Sequence, residues 1–293
     1  MSKLLKFLFS FLIFVAVCYV GLMWFMNHEV DKALNESIDS IKGLTLEYAD
    51  LNVSIADATV TLKNVETTLP DGQHMTADEV RITAFDQLHP IPYFVAAEAD
   101  GVTVEATPAN VGGWAGSMLA LNIPVIKGNV SLDYRYDPES KSMDLKTLAI
   151  RIPELGDADI SGTVDSIDLQ LLRMEKFFGL RIKKANLKFT NHSFINTLVR
   201  ESARGLNVSE TDALAQISAE LVAMADYAGK DGNQVAENAL RGLKRYINDP
   251  GTVTITANPS EPVPVLYFFM GRDMYDNLRM MNVEIKTDSS EDI

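Results

Sequence analysis

Hydrophobic positions change period three times along this chain. From Phe7 to Met26 they are continuous, FLFSFLIFVAVCYVGLMWFM, twenty residues without a charge. At ~1.5 Å per residue that run spans ~30 Å, the hydrocarbon thickness of a bilayer. A cleaved signal peptide has a shorter apolar stretch of ~7–15 residues and a small-x-small exit. Trp24-Phe25-Met26-Asn27-His28 offers no such exit. The lipoprotein alternative at Val15-Ala16-Val17-Cys18 places bulky Val17 where a small residue is required. The pattern predicts a retained signal anchor. Lys3 and Lys6 precede it, so its N-terminus is expected in the cytoplasm and the bulk of the chain on the far side. Gly21 has no small partner four residues away, so no helix-dimer face is expected in the anchor.

After the anchor, Val30, Ala33, Leu34 and Ile38 recur near helical spacing and predict a short stalk that Gly43 ends. From Leu44 the period becomes two. Leu44, Leu46 and Tyr48 alternate with polar neighbours, then Val53 and Ile55, Val60 and Leu62, Val80 and Ile82, Val102 and Val104. Pro70-Asp71-Gly72 and Asp100-Gly101 punctuate them as turns. A second block begins near Ile123, with Val130, Leu132 and Tyr134 on one face. Met143, Leu145, Leu148 and Ile150 follow, then Val164 and Ile167, then Ile182, Ala185, Leu187 and Phe189. Strands separated by turn residues at this spacing indicate an antiparallel meander.

A helical period then returns. Phe194, Leu198 and Val199 suit one helix over Ser193–Arg204. Leu214, Ile217, Leu221 and Met224 form one stripe of a second. Asn233 is placed to cap a third, which Asp249-Pro250-Gly251 stops. Thr252–Ala257 reads as a strand, Val265–Met280 as a short helix and Val283–Ile285 as a last strand. Val263–Met270 is too short for a second membrane span and is broken by Pro264.

The fold class expected is therefore α+β: an N-terminal transmembrane helix, then an antiparallel β-meander or groove with a C-terminal helical insert. Residues 1–28 form the cytoplasmic tip and anchor, 29–43 the stalk, and 44–192 the β-rich domain. Residues 193–248 form the helical insert, and 249–293 a β/α segment packing back on the sheet.

Charge sharpens this picture. The formal net charge is −14, and all 40 acids lie beyond the anchor whereas two of the 26 basic residues precede it. The displayed part is thus more acidic than the whole. Such a surface repels phosphate backbones, so nucleic acid is excluded as a partner. The single cysteine, Cys18, lies within the apolar run, so the displayed part has no intrachain disulfide.

Chemistry-bearing patterns are few. His28, His74, His89 and His192 are never four apart, and no HExxH, GxSxG, SxxK or P-loop occurs. Gly112-Gly113 before Trp114 reads as a loop rather than a phosphate cradle. The carboxylate pairs Asp78-Glu79, Asp157 with Asp159, and Glu210 with Asp212 read as solvated surface. Lys183-Lys184, with Lys188, reads as an exposed strand face that could also touch a phosphate headgroup. Five Asn-x-Ser sequons, at Asn35, Asn52, Asn129, Asn191 and Asn207, matter only in a compartment that glycosylates. No catalytic, cofactor-binding or metal-ligating residue is nominated. The expectation is of a protein that is not an enzyme and carries no cofactor.

The anchor, stalk and first strands, with LKNVETTLPDGQHMTADEVRITAF (Leu62–Phe85) and PIPYFVAAEADGVTVE (Pro90–Glu105), resemble the N-terminal part of AsmA-like bacterial envelope proteins. The block from Gly128 through Leu172 is similar to that family's later strands, whereas Ser193–Asn248 has no counterpart in the pattern. The resemblance implies a cell-envelope protein, single-pass in the inner (cytoplasmic) membrane, with its bulk in the periplasm. It implies a groove-shaped sheet and a part in lipid transport, phospholipid handling or outer membrane biogenesis and homeostasis. The partners expected are the bilayer, through the N-terminal helix, and a phospholipid or an envelope protein. A different reading of the same residues is a periplasmic protein–protein interaction scaffold with a filled β core and no lipid ligand.

Overall fold

The computed structural model describes residues 22, 25–36, 38–39, 42–54, 57–86, 88–89, 91–167, 179–270 and 273–288. Most of the Phe7–Met26 run, on which the anchor expectation rests, lies outside them. Among the described residues no helix is long and apolar enough to cross a membrane.

The described chain is α+β, with an open antiparallel sheet. Residues 25–36 are helical (α1). The strands are β1 (Thr45–Glu47), β2 (Asp50–Ser54), β3 (Thr59–Thr68), β4 (His74–Phe85), β5 (Phe94–Glu105), β6 (Val125–Asp137), β7 (Ser142–Ile152), β8 (Gly156–Asp165) and β9 (Arg181–Asn191), then β10 (Thr252–Ala257), β11 (Val263–Pro264) and β12 (Val283–Thr287). Each strand from β3 to β10 pairs with the next, and β12 closes on β10. Both β1 and β2 pair with β3, and β11 pairs with β9. The strands are longer than the sequence pattern suggests, because Val102 and Val104 belong to the same strand as Phe94.

Cross-strand partners share a face, so the register shows what each face contains. One continuous row reads Val53, Val60, Ile82, Ala97, Leu132, Leu148, Ile160, Leu187, Ile255, Ile285. The adjacent row reads Leu51, Leu62, Val80, Ala99, Val130, Ile150, Ala158, Phe189, Val253, Thr287. The opposite face carries Thr61, Arg81, Glu98, Ser131, Ala149, Asp159, Lys188, Thr254 and Lys286. The sheet is therefore apolar on one face and polar on the other across its whole width.

Keeping that segregation requires phase slips. Every pairing from β4·β5 to β8·β9 contains a register shift. The shift between β6 and β7 lets Leu145 and Leu148, three residues apart, face the same way. In β5 the slip falls at Gly101, whose φ is +65°. A Cβ there would come within 2.1 Å of Asp78 Oδ2, so glycine is required on both counts. Such bulges increase the local twist and coil the sheet.

The helices α2 (Pro108–Val111) and α3 (Ala115–Ala120) join β5 to β6. Between them Gly112–Trp114 is a 3-10 turn, which corrects the expectation of a plain loop there. The β9–β10 connection holds α4 (Phe194–Leu206), α5 (Glu210–Lys230) and α6 (Gln234–Asn248), close to the expected ranges. Ser209 caps α5 through the Asp212 amide, and Asn233 caps α6 through the Ala236 amide. The expected helix over 265–280 is instead a 3-10 turn, Val265–Phe269, and a short α7 (Met274–Met280).

Alanines 225, 228, 236 and 239, each at most 1% exposed, let α5 and α6 approach closely. Their core is Leu221, Ala225 and Leu240, with Ile217, Leu243, Tyr275 and Leu278 around it. α6 meets the sheet chiefly on β12, where Gly242 lies against Ile285. Ile285 ends the aliphatic row, so the helical layer sits on the apolar face, at one end of it. Tyr246 of α6 is 3% exposed and its hydroxyl has no hydrogen-bond partner among the described residues. Burial pushes its pKa up to about 12.

Two stability outcomes follow from this packing. Leu62 is 2% exposed, whereas Leu148 is half-buried on the same face. Leu62→Ala is expected to cost ~2–5 kcal/mol and Leu148→Ala markedly less, measured by urea unfolding. Equal costs would mean that the face over β7 is sealed. Tyr246→Phe removes an unpaired buried hydroxyl and is expected to raise stability by up to ~1 kcal/mol. A loss of more than that would reveal a hidden partner.

Candidate functional site: an uncovered apolar sheet face

The apolar face is the feature of this molecule that demands an explanation. Val253, near the helices, is 3% exposed. Val80, Ala99, Val130, Leu132, Leu148, Ile150 and Ile160 on the same face are only half-buried. Among the described residues no second layer covers β4 to β8. From β2 to β12 the rows cross ten strands, about 43 Å at ~4.8 Å per strand step. Exposed apolar patches much above a few hundred Å² mark binding surfaces in soluble domains. Register shifts across the sheet add to its local twist.

The polar face needs no such explanation. Arg81 lies 2.7 Å from Glu79 and 3.8 Å from Glu98, and Arg151 pairs with Asp159. These are solvent-exposed pairs of ~0–1 kcal/mol each. A shallow cleft of about 540 Å³ lies beside Asp144, Ser161, Lys184, Asn186 and Thr256 on this side. Of the lysines singled out from sequence, Lys184 and Lys188 are exposed on β9, and Lys183 lies 3.2 Å from Asp165.

The four histidines stay apart. His74 lies 3.6 Å from Glu66, and His192 3.5 Å from Asp157. His28 is in α1. Among the described residues no three of His, Cys, Asp and Glu gather as a metal site. The carboxylates paired in sequence have partners of their own: Asp159 meets Arg151, Asp157 faces His192, and Asp212 bonds Ser209.

One arrangement was not legible in the sequence. Asp86, at the end of β4, is 4% exposed. Its carboxylate accepts from the Leu88 amide at 2.9 Å and the Tyr93 amide at 2.9 Å, and bonds His89 Nδ1 at 2.7 Å. Burial alone would raise its pKa, but the two amides and His89 outweigh it and hold the carboxyl below its usual range. The His89 ring stacks on Tyr93 at 3.6 Å, and Tyr93 meets Tyr136 edge-on at 5.1 Å. Tyr134 donates to the Pro92 carbonyl at 3.0 Å; burial first, and the Asp86 charge second, raise its pKa. Below this hairpin Tyr136 and Ile167 form a small core with Ile91, Met143, Val164 and Leu180. A lone Asp followed by Gln-Leu-His-Pro gave no spacing that marks a clamp. The bonds of this one carboxylate to two amides and His89 suit it to hold the β4–β5 connection.

A second hydrogen-bonded contact ties α1 to the sheet. Asn27 Oδ1 accepts from the Val53 amide at 2.7 Å, and Asp31 Oδ1 from the Tyr48 hydroxyl at 2.5 Å. Burial, then the Asp31 contact, pushes Tyr48 up to about 12. The outer edge of β2 is thus partly closed by the helix that follows the apolar run.

Residues 149–288 match a family model described as "Uncharacterized protein". The match runs from the end of β7 through β12 and takes in the helical layer. It leaves out Gly43–Ala106, where most of the AsmA-like pattern lies. No curated protein matches the chain in sequence.

The Asp86 clamp makes a pH-dependent outcome. Its folded pKa lies below the unfolded value of ~3.9, so its stabilisation is present above that value and is lost as pH falls through the folded pKa. Asp86→Asn is expected to cost ~1–3 kcal/mol at pH 7, with the gap to wild type closing below about pH 4. A gap that stays constant with pH would show that the charge of Asp86 is not what clamps the hairpin.

Proposed function

We propose that this chain is a non-enzymatic envelope protein, anchored by its N-terminal helix in the inner membrane. Its N-terminus is cytoplasmic, its sheet is periplasmic, and the apolar face takes part in phospholipid handling or outer-membrane assembly. The observation that carries this reading is the aliphatic row from Val53 to Ile285, unbroken across ten strands and only half-buried over most of them. Acyl chains suit such a surface. They are apolar along their length, need no directional partner, and tolerate the gradual coil of a bulged sheet. The polar face would remain in water, and the helices would close one end of the apolar face.

The apolar run Phe7–Met26 supports the anchor, and Lys3 and Lys6 support its orientation. The AsmA-like pattern in Leu62–Phe85 and Pro90–Glu105 supports the envelope setting. A scaffold with a filled β core fits less well, because the side chains that would fill it are only half-buried.

Face-specific photocrosslinking tests the proposal. A photoreactive phenylalanine replaces Leu132 on the apolar face or its neighbour Ser131 on the polar face of the full chain. In membranes carrying labelled phospholipid, position 132 is expected to capture lipid and position 131 is not. Equal capture at both positions, or none at either, would remove the lipid reading.

A further inference from the structure

One connection of the sheet carries no charge. From Ala106 to Ile126 the chain reads ATPANVGGWAGSMLALNIPVI, 21 residues without Asp, Glu, Lys, Arg or His. In a chain that is 23% charged, no other uncharged stretch beyond Phe7–Met26 is as long. This segment joins β5 to β6 and holds α2, the 3-10 turn at Gly112–Trp114 and α3.

Backbone and side-chain bonds tie the connection to the strands at its base. The Ala106 amide donates to the Pro124 carbonyl at 2.9 Å, and the Ile123 amide to the Met118 carbonyl at 2.8 Å. Asn110 Oδ1 accepts from the His74 amide of β4 at 2.7 Å, and Asn110 Nδ2 donates to the Glu105 carbonyl at 2.9 Å. Ala106 and Ala115 are buried. Trp114 is 72% exposed, Leu119 56% and Val125 39%. Small side chains are thus buried while the largest apolar ones stand in water, the reverse of what burial within the chain would select.

The connection also continues the apolar face. Ile126 lies four residues before Val130 on β6, so the two side chains face the same way, and its partner on β5 is Val104. Both Val104 and Ile126 are half-buried. The uncharged segment therefore follows directly on the last apolar pair of these strands. Without charge, it offers neither a basic nor an acidic protein surface an ion pair. A tryptophan among small residues suits the interface of a bilayer, where its amphipathic ring sits at headgroup level. The chain as a whole, at −14, has no general attraction to anionic headgroups. A zwitterionic phospholipid surface fits all of these properties.

We infer that residues 106–126 form a membrane-docking element: Trp114 and Leu119 enter the headgroup layer of a zwitterionic phospholipid surface and bring the Val104–Ile126 end of the apolar face to it. A lipid then has an uncharged route from the bilayer to the rows on β5 and β6. That use of the docking rests on the lipid reading of the apolar face. The docking itself needs no placement of the N-terminal run.

Tryptophan fluorescence of the full chain tests the docking. Trp24→Phe leaves Trp114 as the only tryptophan. The protein is held in amphipol and mixed with phosphatidylcholine vesicles, either plain or brominated on the acyl chains near the headgroup. Trp114 emission is expected to shift to shorter wavelength with plain vesicles and to be quenched by brominated ones. Both effects are expected to be lost in Trp24→Phe/Leu119→Glu, whose fold is checked by circular dichroism. Equal quenching with and without Leu119→Glu, or none in either protein, overturns the docking. A blue shift that grows with protein concentration in the absence of vesicles assigns the patch to a second copy of the chain and overturns it also. Photocrosslinking at position 132 is read in parallel. Lipid capture there without Trp114 quenching removes the docking and leaves the lipid reading of the face, and quenching without capture does the opposite.

Discussion

Unbroken strand pairing is the constraint on which the rest of this molecule depends. Ten strands keep one set of cross-strand partners in register, so a choice of face made at Val53 is carried to Ile285. In an antiparallel sheet a slip of one residue would turn every apolar side chain of a strand to the wrong side. The chain does slip, and repeatedly, yet the apolar rows keep to one face across the slips. Gly101 in β5 is the clearest case, where neither a side chain nor an ordinary φ would fit. The amphipathic sheet is thus maintained by its irregularities as much as by its alternation.

That constraint separates the two places where apolar side chains gather. The helices complete a core of their own around Leu221, Ala225 and Leu240, made possible by alanines at the contact. Their hold on the sheet is through α6 and β12, with Gly242 allowing close approach to Ile285. Toward β4 the same aliphatic rows continue without that cover. The helical layer is therefore an end-piece, and the apolar rows beyond it are the part of the molecule for which a lipid ligand is proposed. Acyl chains meet the requirement with the fewest assumptions, because the face offers area and shape but no directional polar partner.

Much of this was legible in the sequence. Alternation located the strands, the return of a 3.6-residue period located α4 to α6, and Asn233 announced its own cap. The slip between Leu145 and Leu148 was visible as an odd spacing, although only the pairing with β6 shows it to be a bulge. Other features were out of reach for physical reasons. The length of β5 was hidden because Asp100-Gly101 has the composition of a turn while acting as a bulge inside a strand. The Asp86 clamp was hidden because its partners are backbone amides, which no sequence spacing reports. The segment Pro108–Ala120 lacked a strong apolar stripe, so its short helices did not stand out from a loop. That the apolar face is open depends on what the helices fail to reach, and that is a property of packing rather than of any local pattern.

The central proposal is that the half-buried apolar face is a lipid site. Native mass spectrometry of the full chain, released from detergent with co-purified phospholipid, addresses it most directly when wild type is compared with Leu132→Asp/Leu148→Asp. Both substitutions lie on the apolar face and neither touches the N-terminal helix. The account predicts discrete phospholipid adducts on the wild-type chain that are lost in the double variant while its circular dichroism is retained. Equal adducts on the two proteins, or a bare wild-type chain, would contradict it.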